Sequence, residues 1–360
     1  MAGRRSFPAR PSPARPIDRE GGTLDLFGIA PDVWLPVAFA VLMGVSIALY
    51  VILDGYDLGV GILMAVATPA EKDRMVASIG PFWDANQTWL VLGIGLLLVA
   101  FPAAHEIVLG ALYLPVFALL LGLVLRGVAF EFRAKVDPIN KRWWNATFIA
   151  GSLLAAFSQG YMLGLYIVGF ERTWPHIGFA VLVGICLSAA YAFIGATWLI
   201  LKTDGTLQLR AIAWARRMLW LAGLGMVLVS VATPLISERI FAKWFSLPTF
   251  FALAPIPVIT GALFVGLFVL LNRMPFTQDR YAWAPFAGAI GIFLLGFHGL
   301  AYSFYPFVVP DRLTVWQAAS APESLFIIFV GAIFVLPVIL GYSVVAYWIF
   351  KGKATDLKYY

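Results

Sequence analysis

The sequence predicts an all-α polytopic membrane protein of about nine transmembrane helices, N-terminus periplasmic and C-terminus cytoplasmic. Three observations lead there. Hydrophobic residues fill 61% of 360 positions and charged residues only 12%, with mean hydropathy +0.88, whereas a soluble domain carries about 25% charged residues. The apolar residues form long unbroken runs, as helices crossing a ~30 Å hydrocarbon core require, and not the short alternating segments of a barrel. Lysines and arginines gather in alternate connections between the runs.

Residues 1–32 stand apart. They are rich in Arg, Pro and Ala, and no apolar stretch begins before Val33. They read as a disordered tail and a poor signal peptide. Residues 33–350 form a single transmembrane domain, and 351–360 a cytoplasmic C-terminal tail. The first apolar run, Trp34 to Ala67, is longer than one straight crossing and too short for two, so it tilts or continues past the membrane surface. The others are Pro81–Phe101, Ile107–Phe130, Trp144–Gly169, Ile177–Leu201, Leu219–Ile236, Phe250–Leu271, Trp283–Phe304 and Leu325–Phe350. Between the first two runs lies a short charged turn. Lys202 to Arg217 reads as the most polar inside loop, with a turn at Asp204-Gly205. Pro306 to Glu323 is the longest outside loop.

With the N-terminus outside, inside segments hold sixteen Lys and Arg, among them Lys72, Arg74, Arg133, Lys141, Arg210 and Lys353. The outside loops hold four: Arg172, Arg239, Lys243 and Arg312. Five arginines of the tail oppose this assignment, but the loops outweigh them. The charge of +6 and pI near 9.4 are thus loop anchors and no nucleic-acid signal. Cys186 is the single cysteine, which excludes an internal disulfide and leaves a small packing residue.

Polar chemistry at membrane depth is concentrated between Leu53 and Gln87. A charge at the bilayer centre costs about 2.5–3.5 kcal/mol on insertion scales. Asp54 and Asp57, three apart, share one helical face. Gly55, Gly59 and Gly61 beside them let another helix approach closely. The pair is either buried on a packed helix, able to hold a proton or an ion, or solvated at the headgroups. Asp84 follows Pro81 at the start of the second run. There it is either a helix-start acid favoured by the dipole or, with Trp83, Asn86 and Gln87 at similar depth, the mouth of a proton pathway from the cytoplasm. Arg126 interrupts the third run and is expected to pair with a carboxylate, with Glu131 as further ionic support. Arg133 reads as snorkelling to the surface. Ser158, Gln159 and Tyr161 read as an interhelical hydrogen-bonding patch. Of three histidines, His105 and His176 fall in outside loops and His298 reads as a packing or hydrogen-bonding residue. No haem-ligand pair, metal spacing, phosphate loop or nucleophile elbow is present.

Leu53-Asp54-Gly55-Tyr56-Asp57-Leu58-Gly59-Val60-Gly61, then Phe82-Trp83-Asp84-Ala85-Asn86-Gln87-Thr88-Trp89-Leu90, resembles subunit II of the cytochrome bd quinol oxidases. Tyr305-Pro306-Phe307-Val308-Val309-Pro310 and Leu313-Thr314-Val315-Trp316-Gln317-Ala318-Ala319-Ser320 look like the outside loop of the same family. The resemblance runs from about residue 33 to the C-terminus. Ser158-Gln159-Gly160-Tyr161-Met162-Leu163-Gly164 resembles the cyanide-insensitive branch. The resemblance implies a nine-helix subunit in a heterodimer with a homologous subunit I. That partner carries the b- and d-type, or only b-type, haems, the site facing the quinol pool and the oxygen chemistry. This chain then has no catalytic residue, haem ligand or metal of its own. It implies a proton route on subunit II, with Trp83 and Asp84 at the second-helix motif, Asp54 and Asp57 as the first-helix acidic pair, and Arg126 as the third-helix arginine. Some members hold a structural quinone, and the resemblance leaves room for it and for a small single-helix accessory subunit. It places the chain in a bacterial cytoplasmic (inner) membrane. Two rivals stand beside it: a stand-alone cation-coupled secondary transporter using Asp54, Asp57 and Asp84, and a purely structural assembly subunit.

Overall fold

The computed structural model describes residues 30–137 and 140–354. The tail assigned to residues 1–32 therefore lies outside the described residues up to position 29, as do residues 355–360.

Among the described residues, thirteen α-helices follow in order: α1 (Pro31–Leu63), α2 (Pro69–Ile79), α3 (Trp83–Ala100), α4 (Pro102–Arg133), α5 (Lys141–Ile167), α6 (Trp174–Lys202), α7 (Gly205–Ile236), α8 (Glu238–Phe245), α9 (Thr249–Leu253), α10 (Pro255–Arg273), α11 (Ala284–Phe304), α12 (Val315–Ala318) and α13 (Pro322–Ile349). Among the described residues, nine segments are long and apolar enough to cross a membrane, α9 and α10 together making one. They match the nine apolar runs. At 1.5 Å per residue, the 33 residues of α1 extend about 50 Å. Its surplus is not a floppy extension. From Asp54 to Gly61 every residue is buried, under α5 and α6.

That burial rests on two glycines. A Cβ on Gly59 would sit 1.7 Å from the Tyr191 carbonyl oxygen, and one on Gly195 would sit 2.5 Å from the Gly59 carbonyl carbon. Backbones in van der Waals contact are the close-packing device of membrane helices, where apolar burial alone gives no drive to associate. α1 thus becomes the hub, touching α3, α5, α6, α11 and α13. α13 is the opposite case: only Leu325 of its 28 residues is fully buried in the single chain.

Two connections differ from the sequence expectation. The charged turn after α1 is the helix α2, opened by a capping box in which Thr68 and Glu71 satisfy each other's backbone donors, with Pro69 in the first turn. The supposed loop Lys202–Arg217 is mostly the first three turns of α7. Leu207, Ala211, Ile212, Trp214 and Ala215 are buried, and a reading by hydropathy stops where this stripe becomes amphipathic. The connection between α11 and α13 holds a small antiparallel hairpin, β1 (Phe307–Val309) and β2 (Leu313–Thr314), leading into α12.

The ion pairs sort the connections into two ends. Arg74–Asp204, Arg210–Glu71, Arg133–Asp73, Lys141–Asp73 and Lys353–Asp279 link the basic connections to one another. Arg239–Asp311 lies in the other set, where His176 Nδ1 also sits 3.5 Å from the Glu171 carboxyl. Residues 351–354 are not a loose tail: Lys353 Nζ also donates to the Thr203 carbonyl at 2.8 Å, and the Ala354 amide to the Lys202 carbonyl at 2.7 Å.

Candidate functional site

The crossing of α1 over α6 puts Asp54 and Asp57 on an inward face, and both are 0% exposed. Of the two settings open to them, the structure gives the buried one. Arg126, 1% exposed, comes in from α4 and donates from Nη2 to Asp54 Oδ1. The expected carboxylate partner of Arg126 is therefore Asp54. Removing either member of such a pair strands a charge, whereas the intact pair contributes little by itself.

Asp57 is bound differently. Its Oδ2 accepts from Asn86 Nδ2 of α3 at 2.8 Å, while Oδ1 has no hydrogen-bond partner among the described residues. Arg126 Nε and Nη1 are likewise buried and unmatched. Desolvated polar atoms of this kind are costly, and here they gather around one carboxylate pair. Asn86 Nδ2 also lies 2.9 Å from Tyr56 Oη, and Tyr56 Oη is 2.6 Å from Tyr347 Oη of α13. Tyr347 donates back to Asn86 Oδ1 at 3.0 Å. On the α5–α6 side Gln159 donates to Tyr50 Oη at 2.8 Å and accepts from Tyr191 at 2.6 Å. Of the α5 patch Ser158, Gln159 and Tyr161, Gln159 makes the expected interhelical hydrogen bonds, whereas Tyr161 stacks on Phe157 of its own helix.

The second motif divides between two faces of α3. Asn86 points into the cluster at 1% exposure, whereas Asp84 is exposed on the outer face of the first turn. Trp83 is half-buried, its ring 4.9 Å from Phe130. Gln87 is half-buried, with Nε2 enclosed and unmatched. Glu131 is not part of the buried group: it is exposed, and among the described residues its ion pair is with Lys135 at 3.8 Å. Its position, five residues beyond Arg126, turns it to another side of α4. Arg133 corrects the snorkelling expectation. It is 2% exposed, held by Asp73 and by Asn145 Oδ1 at 2.6 Å.

The histidines are scattered over three helices. His105 and His176 sit in the first turns of α4 and α6 and not in loops, and His298 Nδ1 is 2.8 Å from its own helix's Leu294 carbonyl. These residues do not fit paired axial ligation of a haem. Sequence reasoning missed Tyr347, Tyr191 and Tyr50. Each is one hydroxyl among others in an apolar run, with no spacing that marks it.

A family model described as cytochrome bd terminal oxidase subunit II matches residues 35–350 of this chain. The cytochrome bd ubiquinol oxidase subunit 2 of Bacillus subtilis is 28% identical over 348 residues, covering 90% of this chain and 96% of that protein. The cytochrome bd-I ubiquinol oxidase subunit 2 of Escherichia coli K12 is 28% identical over 369 residues, covering 87% and 93%. A chain in the structure of the bd oxidase from Geobacillus thermodenitrificans superposes with a TM-score of 0.69 at 19% identity, covering 88% of this chain and 99% of that one.

Proposed function

We propose a role that starts from one premise: the chain belongs to the cytochrome bd terminal oxidase subunit II family. It is a multi-pass membrane subunit of a quinol oxidase complex, and the stand-alone transporter is not favoured. Within that complex we assign it to a bacterial cytoplasmic membrane, with the ion-paired, Lys- and Arg-rich end inside. Its partner is a haem-bearing subunit I, on which quinol oxidation and oxygen reduction take place. The haem chemistry is left to that partner because the histidines here are unsuited to it.

This chain's own contribution is a proton route toward the partner. The observation that carries this reading is the buried Asp54–Arg126–Asp57 group with an unmatched Asp57 oxygen. A guanidinium does not release its proton in a protein, so carboxyl groups do the exchanging. Asp84, on the first turn of α3, is the uptake site: it meets the aqueous side or the partner directly, and Gln87 and Asn86 lead from its turn toward Asp57. Asp84→Asn is expected to lower quinol-dependent oxygen consumption at least tenfold while the purified complex keeps its haem spectrum. Parental turnover in that variant would remove Asp84 from the route.

A further inference from the structure

The ring of hydrogen bonds at the end of α13 does more than fasten a helix. We propose that Tyr347 is a positioning residue for proton exchange at Asp57, through a Asn86–Tyr56–Tyr347 ring whose direction reverses with the protonation of that carboxyl. This rests on the proton-route reading.

The donors and acceptors fix the direction. With Asp57 ionised, Asn86 must turn its NH2 toward Asp57 Oδ2, at 2.8 Å, and its second hydrogen toward Tyr56 Oη, at 2.9 Å. Asn86 Oδ1 can only accept, so Tyr347 donates to it, at 3.0 Å. That leaves the Tyr56 hydroxyl to donate to Tyr347 across 2.6 Å. The circuit is Asn86 to Tyr56 to Tyr347 to Asn86, with every ring hydrogen used. Now let Asp57 take up a proton. The carboxyl becomes a donor and needs an acceptor where the amide nitrogen was. A half-turn of the Asn86 amide supplies it. Tyr56 then donates to the amide oxygen, Tyr347 to Tyr56, and the amide nitrogen to Tyr347. One proton has been added, on Asp57; the ring neither gains nor loses any. The Leu53 carbonyl, 3.3 Å from Nδ2, shares one of its two hydrogens and disfavours an amide oxygen in that place, so it weights the first direction.

The rings are held for this task. Tyr56 stacks on Trp198 at 4.1 Å and Tyr347 on Phe82 at 4.5 Å. Beyond Tyr347, the buried Lys202 ammonium binds the carbonyls of Phe350 and Gly352 and lies 5.1 Å over the Phe82 ring. The end of α13 is thus pinned, and its hydroxyl is delivered to Asn86. The other groups acting on Asp57 are Asp54 on its own helix and Arg126 on α4. Tyr191 of α6 and Tyr50 of α1 act on Asp54.

Tyr347→Phe removes one oxygen atom. It orphans Asn86 Oδ1 and the Tyr56 hydrogen in the ionised state, but only one amide hydrogen in the protonated state. The measurement is quinol oxidation by the purified complex across pH, with Asp57→Asn alongside. Tyr347→Phe is expected to displace the turnover profile to alkaline pH by roughly half a unit to one unit, the scale of one hydrogen bond. A parental profile, or a loss equal at every pH, would overturn the proposal and leave the route standing. Asp57→Asn is expected to lower turnover at least tenfold; if turnover is unchanged, the route itself fails, and the ring with it.

Discussion

Arg126→Gln tests the buried ion pair most directly. Arg126 and Asp54 are 1% and 0% exposed, so water cannot replace what either loses. Truncating one partner of such a pair costs about 3–5 kcal/mol, chiefly because the other is left charged and unpaired. Here the cost falls at the upper end of that range, because Arg126 also acts on Asp57. Without the guanidinium, two carboxyl groups one turn apart on α1 confront each other. The partner substitution Asp54→Asn removes the stranded charge, and in the double variant two amides face each other and can hydrogen-bond. Groups in direct contact couple by about 0.5–3 kcal/mol, and about 2 kcal/mol of recovery is expected, up to roughly 30-fold in the folded ratio. The assay is the yield of haem-containing complex per milligram of membrane protein, with the midpoint of thermal inactivation in one detergent. Arg126→Gln should fall furthest and the double variant should stand above it. A parental yield for Arg126→Gln, or a double variant no better than the sum of the singles, would refute the argument that the pair is a desolvated unit.

Two further outcomes follow from packing and charge. Gly59→Ala places a methyl 1.7 Å from the Tyr191 carbonyl oxygen, which is backbone and cannot turn aside; loss of assembled complex is expected, whereas Gly95→Ala, with nothing within 4 Å, should assemble normally, and western blots of membranes decide it. At the Glu71 carboxyl burial opposes ionisation, but hydrogen bonds from Thr68 and Arg210 outweigh it and hold the group below the usual range. A depressed carboxyl stabilises fully above the ordinary Glu value of about 4.3 and loses that contribution as pH falls through its folded value. The difference in thermal midpoint between parent and Glu71→Gln should therefore be present at neutral pH and close in acid; a gap independent of pH would contradict it.

The sequence exposes the membrane helices because each must present about twenty apolar residues to lipid or to its neighbours, and no tertiary information is needed to see that. It exposes Asp54, Asp57 and Arg126 for the converse reason: charge inside an apolar run is expensive enough to stand out. It hides what depends on rotation and partners. Asp84 and Asn86 are two residues apart, and only the azimuth of α3 separates an exposed acid from a buried amide. Glu131 and Arg133 are as close, yet one is on the surface and the other lies between Asp73 and Asn145. Tyr347 lies 261 positions from the amide it touches, and a tyrosine in an apolar helix reads as one more aromatic. The start of α7 was concealed by its polarity, since a hydropathy reading follows the membrane and not the helix.

The composition of the buried group argues for a division of labour between its two acids. One guanidinium faces two carboxyl groups, and it binds only Asp54. Were packing the sole purpose, an apolar trio of similar volume would serve as well or better, and were charge balance the purpose, a single acid would do. Asp57 is the surplus. Its one hydrogen-bond partner is an amide, which can offer either a donor or an acceptor at the cost of a half-turn. An arginine can only donate to its acid, whereas an asparagine can donate to an ionised acid or accept from a protonated one. On the proposed route, then, Asp54 with Arg126 supplies the fixed field and Asp57 the moving proton. Substituting Asp54 should disturb assembly before turnover, and substituting Asp57 should disturb turnover before assembly. Haem content against oxygen consumption, measured on both variants, separates the two; identical ratios would dissolve the distinction.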